Sequence, residues 1–284
     1  MGRRFAAALA LAAAVTPAVG AEPASRWFTT SDHVRLHVLE AGLHDGRTTV
    51  VAFVPGWSMP ASVFGAQFAA LGGHHPVAAL DPRGQGLSEV PAGGYAIGRR
   101  AQDIAEFVAR YRRVVLVGWS LGALEALEYV HLHGAGALQA LVLVDSSVGE
   151  DPPPPSGSSF VAELNRDRPA ALEDFVRGMF RSPRPEAELR ALRDQAMRMQ
   201  LAASLALFPS SVPREHWRQI ARAVRVPMLY AVTPPLAAQA ENLRRARPAT
   251  RIEVFADAGH ALFVDDPDRF NQLLETLLAE TASR

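Results

Sequence analysis

The chain has 284 residues, of which 49% are hydrophobic and 20% charged, and this suits a globular protein with one large α/β domain and an insertion. Its 29 basic and 29 acidic residues give a formal net charge of zero, which argues against nucleic acid as an electrostatic partner. The chain has no cysteine, which excludes disulfides, thiolate metal sites and a cysteine nucleophile.

The first 21 residues differ in composition from the rest of the chain. Arg3 and Arg4 precede an apolar stretch at 5–15, and small residues follow it. This three-part order is typical of a secretory signal peptide. A membrane anchor would need about 20 apolar residues, whereas this stretch is shorter and is followed by Pro17. We therefore expect residues 1–21 to be a signal peptide, and the mature chain to be periplasmic or secreted without a transmembrane anchor.

From about residue 22, strand-like and helix-like patterns alternate. Short stretches with strand-like patterning, most of them nearly continuous in apolar, β-branched residues, predict strands at 34–40, 49–54, 77–80, 114–117 and 141–144. Helical periodicity is found between them at 61–71, 101–111 and 121–133. The alternation predicts a mostly parallel sheet flanked by helices.

The alternation stops at the proline-rich segment that begins at Asp151. Helical patterns follow at 169–180, 186–208 and 214–224, before strand patterns return at 228–232 and 252–255 and a last helix at 267–280. We expect residues 22–150 and 226–284 to form one core, and residues 151–225 to form a helical cap over one end of the sheet.

A lone serine, Ser120, stands between Gly118 and Gly122, directly after one predicted strand and directly before a predicted helix. A serine at the apex of so sharp a turn needs a strained backbone and a close approach of helix to strand, so its flanking residues must be minimal. The helix N-terminus offers free N–H groups to a developing oxyanion. An ordinary turn serine is the alternative, but the strand–turn–helix context favours a nucleophile.

This G-x-S-x-G segment resembles the nucleophile elbow of the α/β-hydrolase superfamily. The resemblance continues in FVPGW at 53–57, where proline replaces the histidine of the oxyanion loop, in DPRGQGLS at 81–88, and in the AGHA segment around His260. It implies an α/β-hydrolase fold, His260 as the general base, and the N–H groups of Trp57 and Leu121 as the oxyanion hole. Small bacterial carboxylesterases and cofactor-free haloperoxidase-like perhydrolases are the most similar members.

The acid is the point at which this sequence departs from that pattern. Most members carry an aspartate after the strand that is 228–232 here, but this chain continues with Thr233 and two prolines. Asp145 ends the preceding strand, at the sheet edge where such sites gather, and it is our candidate. It could also serve only as a loop cap. Three other carboxylates stay open as the acid: Glu241, Asp257 and Glu125.

The sequence thus predicts a serine hydrolase that cleaves carboxylic esters with small or medium acyl groups through Ser120, His260 and Asp145. We expect a small-molecule ester as its partner, no cofactor, and no metal ion, because the paired histidines at 74–75 and at 131 and 133 lack a third ligand. Serine at the apex argues against relatives that need an aspartate nucleophile. Perhydrolysis or thioester cleavage on the same triad, or a catalytically silent binding protein, remain alternatives.

Overall fold

The computed structural model describes residues 22–42, 44–154 and 158–282, and, within that last range, no side chains at 158 and 159. The predicted signal peptide, residues 1–21, therefore lies outside the described residues. The division of the chain at residues 150 and 225 stays a prediction.

One eight-stranded sheet forms the centre of the protein. Its strands in chain order are β1 (Ala24–Thr29), β2 (Arg35–Ala41), β3 (Val50–Val54), β4 (Val77–Asp81), β5 (Val114–Trp119), β6 (Leu138–Val144), β7 (Met228–Val232) and β8 (Thr250–Val254). The spatial order is β1-β2-β4-β3-β5-β6-β7-β8. Strand β2 is antiparallel to both of its neighbours, β1 and β4. The strands β4, β3, β5, β6, β7 and β8 are all parallel to one another. The predicted mostly parallel sheet is confirmed.

Eleven α-helices belong to the described part of the chain. They are α1 (Gly65–Leu71), α2 (Ile97–Val108), α3 (Leu121–His133), α4 (Ser158–Arg166), α5 (Arg168–Gly178), α6 (Glu186–Met197), α7 (Leu201–Ala206), α8 (Arg214–Ala223), α9 (Ala237–Ala246), α10 (Leu262–Asp265) and α11 (Pro267–Ala282).

Helical periodicity predicted one helix over 186–208, but the chain forms α6 and α7 with a break at 198–200. At the break, Met199 is buried against the loop after β4, where its sulfur lies only 2.8 Å from the position of a Cβ built on Gly84. Packing of Met199 onto that loop therefore overrides the periodicity. Strand β1 was not predicted, because it is a mostly exposed edge strand without a continuous apolar run.

Helices cover both faces of the sheet. Helices α2, α3, α8 and α9 pack on one face, and α1, α10 and α11 on the other. All five residues of β3, for example, are buried, because their side chains point alternately into these two cores. This is why the central strands appear in the sequence as nearly continuous apolar runs rather than as alternating ones.

Five helices of the described residues are inserted between β6 and β7. The last of them, α8, packs against α3 and α9 and buries Trp217 in their core, so it belongs to the flanking layer. The other four, α4 to α7, contact one another and add buried residues such as Leu172 and Leu189 to the core of the opposite face. We infer that α4 to α7 form the cap.

The parallel strands determine where the functional side chains meet. Strands β3, β5, β6, β7 and β8 all end at the same edge of the sheet. The loops after them carry Trp57, Ser120, Asp145, Thr233 and His260 in that order. Residues far apart in sequence are therefore brought to one edge, as is usual in open α/β sheets.

Candidate active site

Ser120 occupies the turn between β5 and α3 in a strained conformation. Its φ of 54° and ψ of −119° lie where non-glycine residues are uncommon. A Cβ on Gly118 would clash with the carbonyl oxygen of Gly122, and one on Gly122 with that of Val54. The Ser120 N–H donates to Val144 O at 2.8 Å. The two glycines thus permit the close packing that projects Ser120 from the sheet edge.

The His260 ring is bonded to the carboxylate that follows β6. Its Nδ1 lies 2.7 Å from Asp145 Oδ2, and Asp145 is itself buried. The other carboxylate oxygen, Oδ1, accepts hydrogen bonds from the N–H and the hydroxyl of Thr233, both at 2.7 Å. When Nδ1–H donates to a carboxylate, the neutral ring leaves Nε2 free to accept a proton.

The structure thus bonds Asp145 to His260, and two of the alternative acids have other partners. Glu241 pairs with Arg244 at 2.8 Å on the surface, and Glu125 pairs with the buried Arg100. Among the described residues, His260 has no hydrogen bond to Asp257 or to either of those glutamates.

Two further contacts hold the histidine loop above the elbow. Trp119 Nε1 donates to His260 O at 2.9 Å, so the residue before Ser120 is bonded to the histidine backbone. On the other side of the loop, Gly259 N–H donates to Asp265 Oδ2 at 2.7 Å. Burial raises the pKa of Asp265, but hydrogen bonds from Ser182, Arg181 and Gly259 outweigh it and hold the pKa below its usual value.

The loop after β3 places backbone N–H groups close to Ser120. A Cβ on Gly56 would lie 3.0 Å from Ser120 Cβ, so Trp57 follows at close range. Gln85 shapes this loop: its Oε1 accepts from Ser58 N–H at 2.8 Å, and its amide donates to Gly56 O at 3.1 Å. The Trp57 N–H has no hydrogen bond to the described residues, and Leu121 is the first residue of α3, whose N–H has no partner within the helix.

Ser120, Asp145 and His260 all line one cavity of about 680 Å³. The described residues show no hydrogen bond between Ser120 Oγ and His260 Nε2, so this contact requires movement of a side chain. The Trp57 indole is outside the cavity and packs instead on three cap phenylalanines. Its ring centroid lies 5.4 Å from that of Phe160, 5.3 Å from that of Phe175 and 5.1 Å from that of Phe208.

Elsewhere, the described part of the chain contains no cluster of three or more histidine or carboxylate side chains that could bind a metal ion. The buried pair of His37 Nδ1 and Asp81 Oδ2, 2.8 Å apart, joins β2 to the end of β4, and β3 separates β4 from the strand of the elbow, β5. Within the same described ranges, no helix has the length and apolar character needed to cross a membrane.

Comparison with known proteins places this arrangement in a family. Residues 51–273 match the alpha/beta hydrolase family. The chain belongs to this family. The sequence is 25% identical over 268 residues to the AB hydrolase superfamily protein YisY of Bacillus subtilis (strain 168). The aligned region covers 87% of this chain and 97% of that protein. The hydrolase fold predicted from the elbow is thereby confirmed.

Two other relatives of this alpha/beta hydrolase are esterases by description. The pimeloyl-[acyl-carrier protein] methyl ester esterase of Vibrio atlanticus (strain LGP32) is 27% identical over 251 residues, which cover 79% of this chain and 92% of that protein. A crystal structure of a Burkholderia cenocepacia protein assigned as an aryl esterase superimposes with a TM-score of 0.80 at 25% identity, covering 92% of this chain and all of that one. These relatives support an ester hydrolase activity.

The sequence did not identify four residues that orient this site: Trp119, Thr233, Asp265 and Gln85. Gln85 lies in the segment at 81–88 that resembles the family, and its side chain shapes the loop of Trp57. Thr233 stands directly after β7, so its place at the common edge was a usable signal. Nothing in the local pattern around Asp265 distinguishes it from the adjacent Asp266.

Proposed function

We propose that the protein is a serine esterase that cleaves carboxylic esters with small or medium acyl groups. The observation that carries the proposal is the meeting of a strained serine elbow with a hydrogen-bonded histidine–aspartate pair in one cavity. These are the groups that a serine hydrolase needs: a nucleophile, a base and a carboxylate that orients the base.

The reaction begins when Ser120 Oγ rotates towards His260 Nε2, a contact that in free enzymes often tightens only with substrate. Oγ then attacks the ester carbonyl carbon while Nε2 takes its proton, and the imidazolium that forms is stabilised by Asp145. The carbonyl oxygen becomes an oxyanion and accepts hydrogen bonds from the N–H groups of Trp57 and Leu121.

Collapse of this intermediate breaks the bond to the alcohol oxygen, which takes the proton from His260 and leaves as the free alcohol. Water then attacks the acyl group on Ser120 while His260 Nε2 takes one of its protons. The second collapse returns that proton to Ser120 Oγ and releases the carboxylic acid. The cavity volume of about 680 Å³ is in the range of small-molecule sites, which supports a small or medium acyl group.

Fluorophosphonate labelling and nitrophenyl ester turnover test the nucleophile directly. Ser120→Ala should abolish both, because no other group would form the acyl-enzyme. Ser147 is the matched control for labelling, since it lines the same cavity but its hydroxyl already donates to Gln239 Oε1 at 2.9 Å. Ser147→Ala should still be labelled. Ester turnover at the parental rate by Ser120→Ala would show that the nucleophile is another residue.

A further inference from the structure

Among the described residues that line the cavity beside Ser120, Arg181 is the one arginine. Asp145 is the only carboxylate among those described lining residues, and it already accepts hydrogen bonds from Thr233 and is bonded to His260. Asp145 is therefore occupied, and the charge of Arg181 is left without a counter-ion inside the cavity.

The backbone of Arg181 is fixed next to the histidine loop. Asp265 Oδ2 accepts from Arg181 N–H at 2.8 Å and from Gly259 N–H at 2.7 Å, so one oxygen joins the two segments. Asp265 Oδ1 accepts from Ser182 N–H at 2.9 Å, and Met179 O accepts from Ala261 N–H at 2.8 Å. This part of the cap therefore holds Arg181 beside the residue that precedes His260.

The side chain of Arg181 differs from those of its arginine neighbours in the cap. Arg177 pairs with Glu173 and Glu186, and Arg184 pairs with Glu188 at 2.7 Å. Arg181 is exposed and forms no ion pair with the described residues. Ion pairs within the cap thus explain the positions of the two neighbouring guanidinium groups, but none of the described contacts explains that of Arg181.

The position of Arg181 also indicates which half of a substrate it would meet. In the proposed reaction, His260 delivers its proton to the alcohol oxygen as that group leaves, so the alcohol half has to lie beside the histidine. Arg181 and Gly259, which share an oxygen of Asp265, line the cavity on this side. The three cap phenylalanines pack instead on Trp57, which belongs to the oxyanion loop.

We propose that Arg181 binds a carboxylate on the alcohol half of the substrate, so that the preferred substrates are esters of carboxylate-bearing alcohols or phenols. A guanidinium matches a carboxylate in shape as well as charge, because it can donate two parallel hydrogen bonds. This inference rests on the proposed esterase function, from which it takes the orientation of the substrate.

The test compares two acetate esters that differ only in that carboxylate, phenyl acetate and 4-acetoxybenzoate. For Arg181→Gln we expect kcat/KM for 4-acetoxybenzoate to fall about tenfold, chiefly through KM, while that for phenyl acetate stays within about twofold. Arg184→Gln is the matched control. It removes the same charge at a position three residues after Arg181, and the Arg184 side chain is paired with Glu188 outside the cavity. Arg184→Gln should leave kcat/KM for both esters unchanged.

A third ester, phenyl hydrogen succinate, carries its carboxylate on the acyl half. If Arg181→Gln lowered kcat/KM equally for this ester and for 4-acetoxybenzoate, the assignment of Arg181 to the alcohol half would be overturned. Equal losses for all three esters, or no loss for 4-acetoxybenzoate, would overturn the role of Arg181 altogether.

Binding is measured separately, so that this inference and the esterase proposal can fail independently. Titration of 4-hydroxybenzoate into the Ser120→Ala variant should show binding that weakens about tenfold when Arg181→Gln is added. Loss of binding with no esterase activity in the parent protein would reject the esterase but retain the carboxylate site. Turnover without any effect of Arg181→Gln on binding or selectivity would reject the carboxylate site alone.

Discussion

Asp145 shows how a single carboxylate is prepared for one task. It follows β6 with a φ of 42°, an uncommon value for a residue other than glycine, and its own N–H donates to Ala231 O at 2.9 Å. Thr233 supplies two donors to one carboxylate oxygen, which leaves the other oxygen for His260. Thr233 stands at the place where most family members are expected to carry the acid, and here it orients the acid instead.

Replacing Asp145 with asparagine tests this role. An amide nitrogen facing Nδ1 would favour the wrong imidazole tautomer, a change that can cost about 10⁴ in kcat in serine hydrolases. We expect Asp145→Asn to lower kcat by at least about 10²-fold, while the thermal midpoint stays nearly unchanged. Steady-state kinetics and thermal unfolding of the same preparations measure the two effects.

Glu241→Gln is the control, because Glu241 is on the surface and pairs with Arg244. It should change neither kcat nor the midpoint by a measurable amount. Near-parental kcat in Asp145→Asn together with a large loss in Glu241→Gln would reverse the assignment of the acid.

Among the elements, α7 is attached to the core by hydrogen bonds from buried side chains. Trp57 Nε1 donates to Ser204 O at 2.7 Å, and Arg100 Nη2 donates to Leu207 O at 2.6 Å, so two core side chains bind carbonyls at the end of this short helix. Arg100 also donates from Nε to Tyr95 O at 2.9 Å. The next residue, Phe208, stacks on Trp57, so the position of α7 is coupled to that of the oxyanion loop.

The other partner of Arg100 is Glu125, which lies in α3 one turn beyond the elbow and is equally buried. Burial raises the pKa of Glu125 to about 7, against the opposing effect of the Arg100 charge. Burial likewise lowers the pKa of Arg100, against the effect of Glu125. Both charges are thus costly to bury, and each depends on the other and on the carbonyl groups around Arg100.

We predict that Arg100→Met destabilises the protein by about 3–5 kcal/mol, because it leaves Glu125 and two buried carbonyls without their donor. Urea unfolding would measure the loss, and a series of nitrophenyl esters of increasing chain length should show a changed acyl preference as α7 and Phe208 shift. Arg110→Met, which breaks a partly exposed pair with Glu40, should cost no more than about 1 kcal/mol. Similar losses in both variants would contradict the special role of Arg100.

At the scale of the whole molecule, the described fold begins close to the end of the expected signal peptide. Strand β1 starts at Ala24 and pairs with β2 in the register Ala24 to Glu40. A cut near Gly20 or Ala21 would therefore leave the first strand intact. We propose that the protein is exported and cleaved at this point.

Expression of the full-length chain in a Gram-negative host tests that proposal. Cell fractionation should place the protein in the periplasm or the medium, and intact-mass measurement should show that about the first 20 residues are missing, as a signal peptide of this length requires. Deletion of residues 2–21 should retain the protein in the cytoplasm. An unprocessed N-terminus in the cytoplasmic fraction of cells that express the full-length chain would contradict export.

The central strands and the elbow could be predicted because their causes are local. A strand buried on both faces needs an uninterrupted apolar run, and the residues of β7 were predicted without error for this reason. Helix α3 was likewise predicted with its observed bounds, because it starts directly after the elbow. At 61–71 the predicted helix begins instead as a 3₁₀ turn, Ala61–Phe64, and becomes α-helical only at Gly65.

By itself, then, the sequence determined the mostly parallel sheet and the serine elbow, because glycine sterics and strand periodicity act over a few residues. The hydrolase fold and the loops that carry Trp57 and His260 were predicted from the resemblance to the hydrolase superfamily. Only the tertiary structure decided that Asp145 is the carboxylate bonded to His260 and that Arg181 lines the cavity. Asp145 is separated from His260 by 115 residues and from Thr233 by 88, and Arg181 from Asp265 by 84. Such contacts depend on how strands and cap helices pack, and no pattern within a short segment contains that information.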